Sequence, residues 1–447
     1  MKATQTIRDR VICIVGLGYV GLTLAVAMAD CGFRVHGLEV RDDVLASLSK
    51  GEPHFWEPRL ADKLKRVIDK HRLTFSKEPD PKFPATVYVI TVGTPFRDGS
   101  IYLGAVQHSA KQVAAVMTDG ALVILRSTVR LGTAREVVKP ILDATRRKFD
   151  LAVCPERTLE GHALAELHEL PQIIGAEDPD VRARCAHMFG VLTPTTVALS
   201  SLEAAELTKL VDNTYRDVTF AFANEVAKLC SHAGLSAREI LRAGRLGYPR
   251  NKVARPGPVG GPCLEKDPHI LFESGSVYGV TMGITQASRA INEGQPADTV
   301  ALIKEQTDAM KGFPKSPRIT LAGVAFKGRP PTDDLRGTMA KPILEALREA
   351  FPKGRFKTFD AVVPREASQE FFGIEAAVTL QDAFADANIV VIANDHPVFQ
   401  SADIASLARN MNAPGIVYDY WSMHDDIEES MPEGVRYLAL GGERYQS

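Results

Sequence analysis

Residues 11–39 read VICIVGLGYVGLTLAVAMADCGFRVHGLE, and this stretch decides the fold of the first part of the chain. An apolar run, Val11–Val15, leads into the glycine pattern GLGYVG at 16–21, a helical stretch follows, and a second apolar run ends in Glu39. Strand, glycine turn, helix and strand in this order are typical of a dinucleotide-binding unit, because the glycines let the backbone approach a pyrophosphate at the helix N-terminus. An acid about 20 residues after the first glycine suits a ribose and repels the 2′-phosphate of NADP. The stretch therefore predicts a Rossmann-type domain that binds NAD.

The composition describes an ordinary globular protein. The chain has 447 residues, of which 45% are hydrophobic, and a formal net charge of −2. This length predicts two or three domains, and the balanced charge argues against a nucleic-acid partner. No apolar run reaches the ~18–20 residues that span a bilayer, and the N-terminus lacks the apolar segment of a signal peptide. The six cysteines have neither zinc-site nor disulfide spacing, so we expect a cytoplasmic protein with no metal and no membrane partner.

Polar residues follow three further predicted strands. The strands cover residues 86–92, 121–126 and 151–154. Ligands of an open parallel sheet bind at the carboxyl ends of its strands. Singly, each of these ends is more simply a solvent-exposed turn, but three of them at one edge predict a binding site. The residues concerned are Gly93, Thr94 and Pro95, then Ser127, Thr128 and Val129, then Pro155, Glu156 and Arg157.

Residues 203–229 are predicted to form one long helix. Lys209 and Asn213 share a face of this helix, and a solvent-exposed flank is the usual place for such a pair. An apolar stripe beside them fits a dimer interface as well as it fits packing within the chain. Its members keep the three-four spacing of a buried face, with Thr214 in the one gap: Leu207, Leu210, Val211, Val218, Ala221, Phe222, Val226 and Leu229.

A glycine- and proline-rich loop, PGPVGGPCLEKDP at 256–268, carries Cys263. Its glycines permit a close approach of the backbone to a ligand. Lys266 and Asp267 follow the cysteine, and a thiol near a cation and a carboxylate suits a nucleophile, because the thiolate is the reactive form. The alternative is a buried, unreactive cysteine in a structural turn, and the loop alone does not decide between the two.

The alternation of strands and helices begins again after a junction at 312–317, GFPKSP. One strand there ends in Asp360, as the earlier one ends in Glu39, but GVAFKG at 323–328 stands in place of the glycine pattern. These features predict a second, smaller doubly wound domain that does not bind a dinucleotide in the same manner.

Seven motifs occur in the order in which they stand in the nucleotide-sugar 6-dehydrogenases. They are GLGYVG (16–21), VGTP (92–95), STV (127–129), PERTLEG (155–161), AELTKLVDN (205–213), GGPCLEKD (260–267) and GVAFKG (323–328). From about residue 10 to about 425 the chain resembles this family, the UDP-glucose and UDP-N-acetylmannosamine dehydrogenases. AELTK, DNTYRD and PER resemble the UDP-N-acetylmannosamine branch more closely, whereas LEKD after the cysteine resembles the UDP-glucose branch.

The resemblance implies an α/β fold of three domains. They are a Rossmann-type NAD-binding domain at 1–200, a central long-helix dimerisation domain with the cysteine loop at 201–311, and a Rossmann-like domain at 312–447 that binds a UDP-sugar. NAD is the implied cofactor, a UDP-sugar the implied substrate, and a homodimer or higher homo-oligomer the implied assembly.

The resemblance also implies the reaction. The C6 hydroxymethyl of a UDP-sugar becomes a carboxylate through a thiohemiacetal and a thioester on Cys263, with two NAD reduced. The first candidate for the sugar nucleotide is UDP-N-acetyl-D-mannosamine. Lys209 and Asn213 are implied to stabilise the oxyanion. Asp267 and Glu156 are alternatives for handling the hydrolytic water, which Thr128 would hold. The uronic acid product suits the synthesis of a surface polysaccharide.

Binding residues follow motif by motif from the same resemblance. Arg250 is implied to reach the UDP phosphates from a neighbouring subunit, with Arg245 or Arg255 as alternatives. Val44 and Pro262 depart from residues that many relatives carry. The implied NAD contacts are Gly16, Gly18, Tyr19, Val20, Gly21, Glu39, Thr94, Thr128, Glu160, Lys266 and Arg336. The implied substrate contacts are Glu156, Arg157, Lys209, Asn213, Arg250, Gly260 and Lys327.

Other functions stay open at this point. The sugar is alternatively glucose or N-acetylglucosamine. A two-electron dehydrogenase of the β-hydroxyacid type would share the N-terminal unit and a helix with Lys and Asn, but it needs no Cys263. A non-catalytic NAD-binding scaffold would be expected to have lost Cys263, Lys209 or Asp267, and all three are present.

Overall fold

The computed structural model describes residues 9–97, 99–424 and 427–442, and the chain divides into two compact units. The first unit comprises Met1–Asp212 with His269–Thr281, and the second comprises Asn213–Pro268 with Met282–Ser447. Within the described residues, no helix is long and apolar enough to span a bilayer. The three domain boundaries given above stay predictions.

The first unit is built on a doubly wound sheet. Its strands are β1 (Val11–Val15), β2 (Arg34–Leu38), β3 (Leu73–Ser76), β4 (Val87–Ile90), β7 (Ala121–Leu125), β8 (Phe149–Val153), β9 (Gln172–Gly175) and β10 (Thr196–Leu199), with β5 (Phe96–Arg97) and β6 (Ser100–Ile101) in a separate hairpin. The sheet order is β10-β9-β8-β7-β4-β1-β2-β3, and neighbours are parallel apart from β8 and β9. The order reverses between β1 and β4, which is where such sheets bind their ligands.

Helices cover both faces of this sheet, and the alternation of side chains along β1 shows why. Ile12 and Ile14 pack into the core on one face, whereas Cys13 and Val15 pack into the core on the other. The helices are α1 (Tyr19–Asp30), α2 (Asp42–Ser49), α3 (Leu60–Asp69), α4 (Gly104–Val116), a π-helical segment (Ala134–Val138) that leads into α5 (Lys139–Asp143), α6 (Ala163–Glu169) and α7 (Pro179–Phe189).

Helix α8 (Leu202–Ala233) begins in the first unit and ends in the second. The prediction of one long helix is confirmed, and the rest of the chain covers its apolar stripe only in part. Phe222 and Leu229 of the apolar stripe are 51% and 68% exposed, whereas Lys209 and Asn213 are buried rather than solvated. Spacing along a helix identifies which residues share a face, but it does not say which face the rest of the protein covers.

The second unit combines helices with a six-stranded parallel sheet of order β13-β12-β11-β14-β15-β16. These strands are β11 (Arg318–Ala322), β12 (Arg355–Phe359), β13 (Glu375–Ala376), β14 (Ile389–Ile392), β15 (Gly415–Asp419) and β16 (Val435–Ala439). The helices are α9 (Ala237–Arg245), α10 (Gly261–Leu264), α11 (Asp267–Val277), α12 (Gly283–Asp308), α13 (Ala340–Ala350), α14 (Arg365–Phe372), α15 (Leu380–Phe384), α16 (Pro397–Ser401), α17 (Ile404–Ala408) and a 3-10 turn (Glu428–Ser430). Helix α11 continues into the first unit. The predicted α/β fold with two Rossmann-like sheets and a helical central part is confirmed.

Candidate active site

The glycine turn between β1 and α1 is shaped for a dinucleotide. Gly16 has a φ of +93°, and a Cβ on Gly21 would lie 1.9 Å from the Gly16 carbonyl oxygen, so both positions require glycine. A Cβ on Gly18 would meet nothing within 4 Å, which leaves this side of the turn open. The Leu17 amide donates to Glu39 Oε2 at 3.0 Å, which fixes the acid beside the turn. The turn and Glu39 therefore fit a bound NAD.

Replacing Gly21 with alanine is expected to weaken NAD binding about 5–150-fold. The new Cβ cannot keep its place against Gly16 O and the Thr91 hydroxyl, 2.6 Å away, so α1 must move off the strand. Overpacking of this kind costs about 1–3 kcal/mol, and about 1.4 kcal/mol is tenfold in affinity. Titration calorimetry with NAD tests this. Gly283→Ala, where a Cβ meets nothing within 4 Å, is the control, and unchanged NAD affinity in Gly21→Ala would contradict the assignment.

A buried acid that the sequence analysis missed joins α1 to the PERTLEG loop. Tyr19 donates its hydroxyl to Glu57, and the Gly161 amide donates to Glu57 Oε2 at 2.7 Å. Burial, with the hydrogen bond to Glu57, raises the pKa of Tyr19, and the nearby charge of Glu160 acts in the same direction. Glu57 stands in no motif, so only its burial in the fold reveals its role.

Glu156 at the end of β8 is held by a buried arginine. Arg126 donates Nε to Glu156 Oε2 at 3.1 Å and makes a second, shorter contact through Nη2. Glu156 Oε1 accepts from the amides of Arg157 and Thr158 at 2.7 and 2.9 Å. Burial raises the pKa of Glu156, but the charge of Arg126 and these hydrogen bonds outweigh burial and leave the pKa below its usual value. The carboxylate is therefore ionised and its lone pairs are occupied.

Arg126 is the second residue that the sequence analysis missed, although a guanidinium at the end of an apolar strand was a usable signal. Its side chain is 1% exposed, and Nη1 donates to Gln172 Oε1 at 2.9 Å and to the Cys154 carbonyl at 3.0 Å. Four hydrogen bonds thus engage all three nitrogens of the guanidinium inside the first unit. Arg126 fixes Glu156 rather than meeting solvent.

The remaining predicted residues of the first unit lie at the carboxyl edge of its sheet. Thr94 donates its hydroxyl to the Thr128 carbonyl at 2.5 Å, which joins the loops after β4 and β7. Arg157 donates Nη2 to the Pro171 carbonyl at 2.6 Å and lies 3.5 Å from Asp212. The structure therefore brings the predicted strand ends together in pairs, as parallel strands require.

Glu206 lies in the AELTK motif and makes contacts with backbone amides that the motif did not predict. Its buried carboxylate accepts from the Gly132 amide at 2.6 Å and the Ala134 amide at 2.7 Å, and so holds the turn that follows Thr128. Burial raises the pKa of Glu206 to about 7, against the lowering effect of the two amides. The charges of Glu203 and Glu136 raise it further.

This pKa gives the free energy of unfolding a pH dependence. The folded state binds the proton of Glu206 more tightly than the unfolded chain, so its stabilising contribution is complete below about pH 4.5 and is lost as the pH rises through 7. Between pH 5 and pH 8, we expect the free energy of unfolding of the wild type to fall by about 2 kcal/mol more than that of Glu206→Gln. Urea titrations of both proteins at the two pH values test this. Equal pH dependence in the two proteins would show that Glu206 titrates normally.

In the second unit, Cys263 lies on the short helix α10 and is exposed. The Gly261 amide donates to the Gly337 carbonyl at 2.7 Å, and a Cβ on Gly260 would lie 2.3 Å from the same oxygen. A Cβ on Gly261 would lie 2.5 Å from the Phe326 ring. The glycines before the cysteine therefore serve close packing against the loop at 336–338 and against the GVAFKG motif. The exposure of Cys263 argues against the alternative of a buried, structural cysteine.

Asp267 is fully buried and pairs with Asn213, of the expected catalytic set, and with Lys266, an expected NAD contact. Asn213 Nδ2 donates to Asp267 Oδ2 at 2.5 Å, and Lys266 Nζ donates to Asp267 Oδ1 at 2.5 Å. Lys209, one turn before Asn213 in the sequence of α8, is buried, and its ammonium makes no hydrogen bond or ion pair within the described residues. A buried charge without a counter-ion is costly, so Lys209 favours an anion as its ligand.

Other predicted contacts of the second unit are more dispersed. Lys266 and Arg336, expected at NAD, pair with Asp267 and Asp334 and belong to the second unit, unlike the glycine turn. Lys327 Nζ lies 5.1 Å from the centre of the Phe326 ring. The exposed Arg250 stacks on Tyr248 at 4.5 Å and makes no hydrogen bond or ion pair within the described chain.

The two alternatives to Arg250 line one cavity of about 190 Å³. Arg245 and Arg255 share it with Arg238, Arg242 and Trp421. Arg255 is engaged with its own chain, since Nη2 donates to the carbonyls of Trp421 and Ser422. This leaves Arg250 the better placed of the three for a ligand outside its own chain.

A glycine turn made for a pyrophosphate, with Glu39 beside it, and a thiol exposed on a glycine loop define the class of protein as an NAD-dependent oxidoreductase. The chain belongs to the UDP-glucose/GDP-mannose dehydrogenase family. Sequence models of its NAD binding domain, central domain and UDP binding domain match residues 10–193, 203–294 and 320–426.

Relatives of this family align along nearly the whole chain. The UDP-N-acetyl-D-mannosamine dehydrogenase of Pyrococcus horikoshii is 30% identical over 405 residues, 90% of this chain and 93% of that protein. A solved structure of UDP-D-ManNAc dehydrogenase from Pyrococcus horikoshii covers 96% of this chain and 99% of its own, with a TM-score of 0.87. The NDP-N-acetyl-D-galactosaminuronic acid dehydrogenase of Ralstonia nicotianae is 30% identical over 88% of this chain and 92% of that protein. The UDP-glucose dehydrogenase structure from Pyrobaculum islandicum has a TM-score of 0.85 at 25% identity, over 98% and 99% of the two chains.

Proposed function

We propose that the chain oxidises the C6 hydroxymethyl of a UDP-sugar to a carboxylate through a thioester on Cys263. The observation that carries the proposal is the exposed thiol on α10, together with the hydrogen bonds of the buried Asp267 to Asn213 and Lys266 in the same unit. A simple alcohol dehydrogenase has no use for such a thiol, and a scaffold protein has no use for this arrangement. The membership of the family and the match to its UDP binding domain support the substrate class.

The covalent chemistry assigned to Cys263 balances. When bound, NAD supplies the hydride acceptor for both oxidations, so one sugar consumes two NAD and one water. The Cys263 thiolate forms a C–S bond to the C6 aldehyde, oxidation of this adduct gives the thioester, and water then attacks the carbonyl carbon. The C–S bond breaks, the thiolate is regenerated and the carboxylate leaves.

Lys209 and Asn213 are the proposed partners of the oxygen on C6. The Lys209 residue is 7% exposed and its ammonium has no counter-ion in the described chain, so a developing oxyanion would gain a charge-assisted hydrogen bond there. Asn213 already donates one amide hydrogen to Asp267, which fixes the orientation of its side chain. The other amide hydrogen is proposed to donate to the substrate.

The two carboxylates are not equivalent as candidates for the hydrolytic base. Glu156 accepts four hydrogen bonds and has a lowered pKa, which makes it a weak base. Asp267 accepts two, so two of its about four lone-pair sites remain. We therefore favour Asp267 for the proton of the hydrolytic water and assign Glu156 to fixing the loop at 155–158. Thr128 is proposed to hold this water.

UDP-N-acetyl-D-mannosamine is the proposed substrate, because the AELTK, DNTYRD and PER motifs resemble that branch and the Pyrococcus horikoshii relative acts on that sugar by name. UDP-glucose, UDP-N-acetylglucosamine and a UDP-N-acetylgalactosamine sugar are the alternatives. Incubation with each UDP-sugar and excess NAD, followed by mass spectrometry, tests this. The substrate should gain one oxygen and lose two hydrogens, and no change with any sugar of the panel would overturn the proposal.

A homodimer is proposed from the apolar surface of the second unit. Phe222 and Leu229 on α8 are exposed, as are Leu246 after α9 and Ile284 on α12. Stable interfaces bury about 1,200–2,000 Å² and centre on residues of this kind. Arg250, without a polar partner in its own described chain, is proposed to reach the UDP phosphates of the second copy.

The absence of disulfides among the six cysteines supports the cytoplasm as the location of the protein.

The double variant Phe222→Asp, Leu229→Asp is expected to be monomeric. Two charges placed in a desolvated interface cost several kcal/mol of binding free energy. Each 1.4 kcal/mol raises the dissociation constant tenfold, so a dimer with a micromolar dissociation constant would separate at micromolar protein concentration. Light scattering during size exclusion measures the mass directly. Val378→Asp, also at an exposed apolar position of the second unit, is the control and should keep the wild-type mass. A wild type that is already monomeric at micromolar concentration would end the dimer proposal.

A further inference from the structure

Four polar side chains form a continuous hydrogen-bonded cluster between α8 and α12 in the second unit. Asp217 and Asn224 belong to α8, Arg289 and Asn292 belong to α12, and each of the four is at most 5% exposed. Arg289 Nη1 and Asn292 Nδ2 donate to Asp217 Oδ1 at 2.7 and 2.9 Å. Asn224 Nδ2 donates to Asn292 Oδ1 at 3.0 Å. None of these residues is in the proposed catalytic set.

The cluster ends on the backbone of the cysteine loop at two places. Asn224 clamps Gly257 in both directions, since it accepts from the Gly257 amide at 2.9 Å and donates to the Gly257 carbonyl at 3.0 Å. Arg289 Nη1 donates to the carbonyl of Leu264, the residue after Cys263, at 3.2 Å. The loop segment that carries the thiol is thus held at both of its ends by one buried group of side chains.

A buried polar cluster of this composition stabilises the packing of two helices less effectively than apolar side chains would. Asp217 Oδ2 is buried without a hydrogen bond within the described residues, and a buried ionic group is often no more stabilising than apolar residues of the same size. Helices α8 and α12 also have an exposed link, the Lys228–Asp298 ion pair at 2.7 Å. Joining the helices does not by itself require the buried cluster, whereas three of its hydrogen bonds go to backbone groups of the loop.

We propose that Asp217, Asn224, Arg289 and Asn292 are positioning residues that fix Cys263 for attack on the aldehyde. The inference rests on the proposed function of Cys263. It predicts an effect on one half of the reaction only, because the thiol takes part in the oxidation of the aldehyde and not in the oxidation of the alcohol. Misplacing a reacting group by about 1 Å costs about a hundredfold in rate.

The test uses Asn224→Ala and Arg289→Lys in the full chain, with Lys228→Met as the matched control on the same pair of helices. Arg289→Lys keeps a positive charge on α12 but replaces the longer, planar guanidinium, whose Nη1 donates both to Asp217 and to the Leu264 carbonyl. The amide hydrogen exchange rate of peptides from the loop at 253–264 shows how firmly Asn224 and Arg289 hold the loop, and its measurement needs no cofactor. Stopped-flow rates with the UDP-sugar and with its 6-aldehyde report the two oxidations separately.

We expect loop exchange to be at least about tenfold faster in both variants and the aldehyde oxidation to be about 10–100-fold slower. Alcohol oxidation and NAD affinity should stay within about twofold of wild type, as should every rate of the control. Unchanged loop exchange in both variants, or equal slowing of both oxidations, would overturn the positioning role. If Asn224→Ala fails to fold, Arg289→Lys alone decides. A Cys263→Ser protein that oxidises the aldehyde at the wild-type rate would instead overturn the proposed function.

Discussion

Cys263→Ser is expected to abolish formation of the carboxylate while it leaves the first oxidation in place. A serine hydroxyl is not ionised at neutral pH, so neither the covalent adduct nor the acyl intermediate forms at a useful rate, whereas an unperturbed thiol with a pKa of about 8.5 is already partly thiolate. We expect acid formation to fall about 10³-fold or more, with the aldehyde as the accumulating product. Aldehyde trapping and mass spectrometry of a timed incubation measure the two products.

The control for this experiment is Cys31→Ser, the other exposed cysteine of the chain. Cys31 lies after α1, far along the chain from the loop at 256–268, and its pKa is raised by burial and by Asp30. Its replacement should leave both oxidations unchanged. Full carboxylate formation by the Cys263→Ser protein would remove the thioester from the mechanism.

Arg126→Met is expected to destabilise the first unit by about 3–5 kcal/mol. Removal of one partner leaves an ionised carboxylate buried without compensation, and this costs far more than the pair itself contributes. Glu156 would lose two of its four hydrogen bonds, and the Gln172 side chain would lose a donor. Urea titration measures the loss.

The loss is a matter of charge, so Glu156→Gln in the Arg126→Met background should recover a large part of it. The double-mutant cycle isolates the pair. The exposed ion pair of Arg135 with Glu203 is the control, since Arg135→Met should cost less than about 1 kcal/mol. A cost for Arg126→Met as small as that of Arg135→Met would show that Glu156 does not depend on this arginine.

The dinucleotide-binding unit could be read from the sequence because its determinants are local. The glycines of the turn are required by backbone contacts a few residues apart, as the 1.9 Å approach of a Gly21 Cβ to Gly16 O shows. The ends of β4, β7 and β8 could be predicted as a group because a parallel sheet brings all carboxyl ends to one edge. These features follow from order along the chain alone.

The buried polar partners could not be read in the same way. Arg126 and Glu156 are 30 residues apart in the chain, and Asp217 and Arg289 are 72 apart, so no spacing rule connects them. Glu206 lies on a helix whose periodicity describes its apolar residues, yet its partners are backbone amides of a turn at 132–134. Such pairings depend on the tertiary fold, which decides where a polar group is cut off from water.

The buried and exposed faces of helix α8 could not be predicted from its sequence pattern either. Its length was predictable from a periodic pattern, but the pattern did not reveal that Asn213, Asp217 and Asn224 would be buried while Phe222 and Leu229 would be exposed. A second copy of the chain is the proposed cover for the exposed residues, and a single sequence does not distinguish packing within a chain from packing between chains.

The count of NADH formed per UDP-sugar consumed tests the central claim most directly. Limiting UDP-N-acetyl-D-mannosamine is incubated with excess NAD and wild-type protein, NADH is followed by absorbance, and the remaining sugar nucleotide is counted by chromatography. The thioester mechanism predicts two NADH per sugar, with a uronate as the product and without free aldehyde. One NADH per sugar, with an aldehyde as the final product, would contradict it and would make the chain a two-electron dehydrogenase.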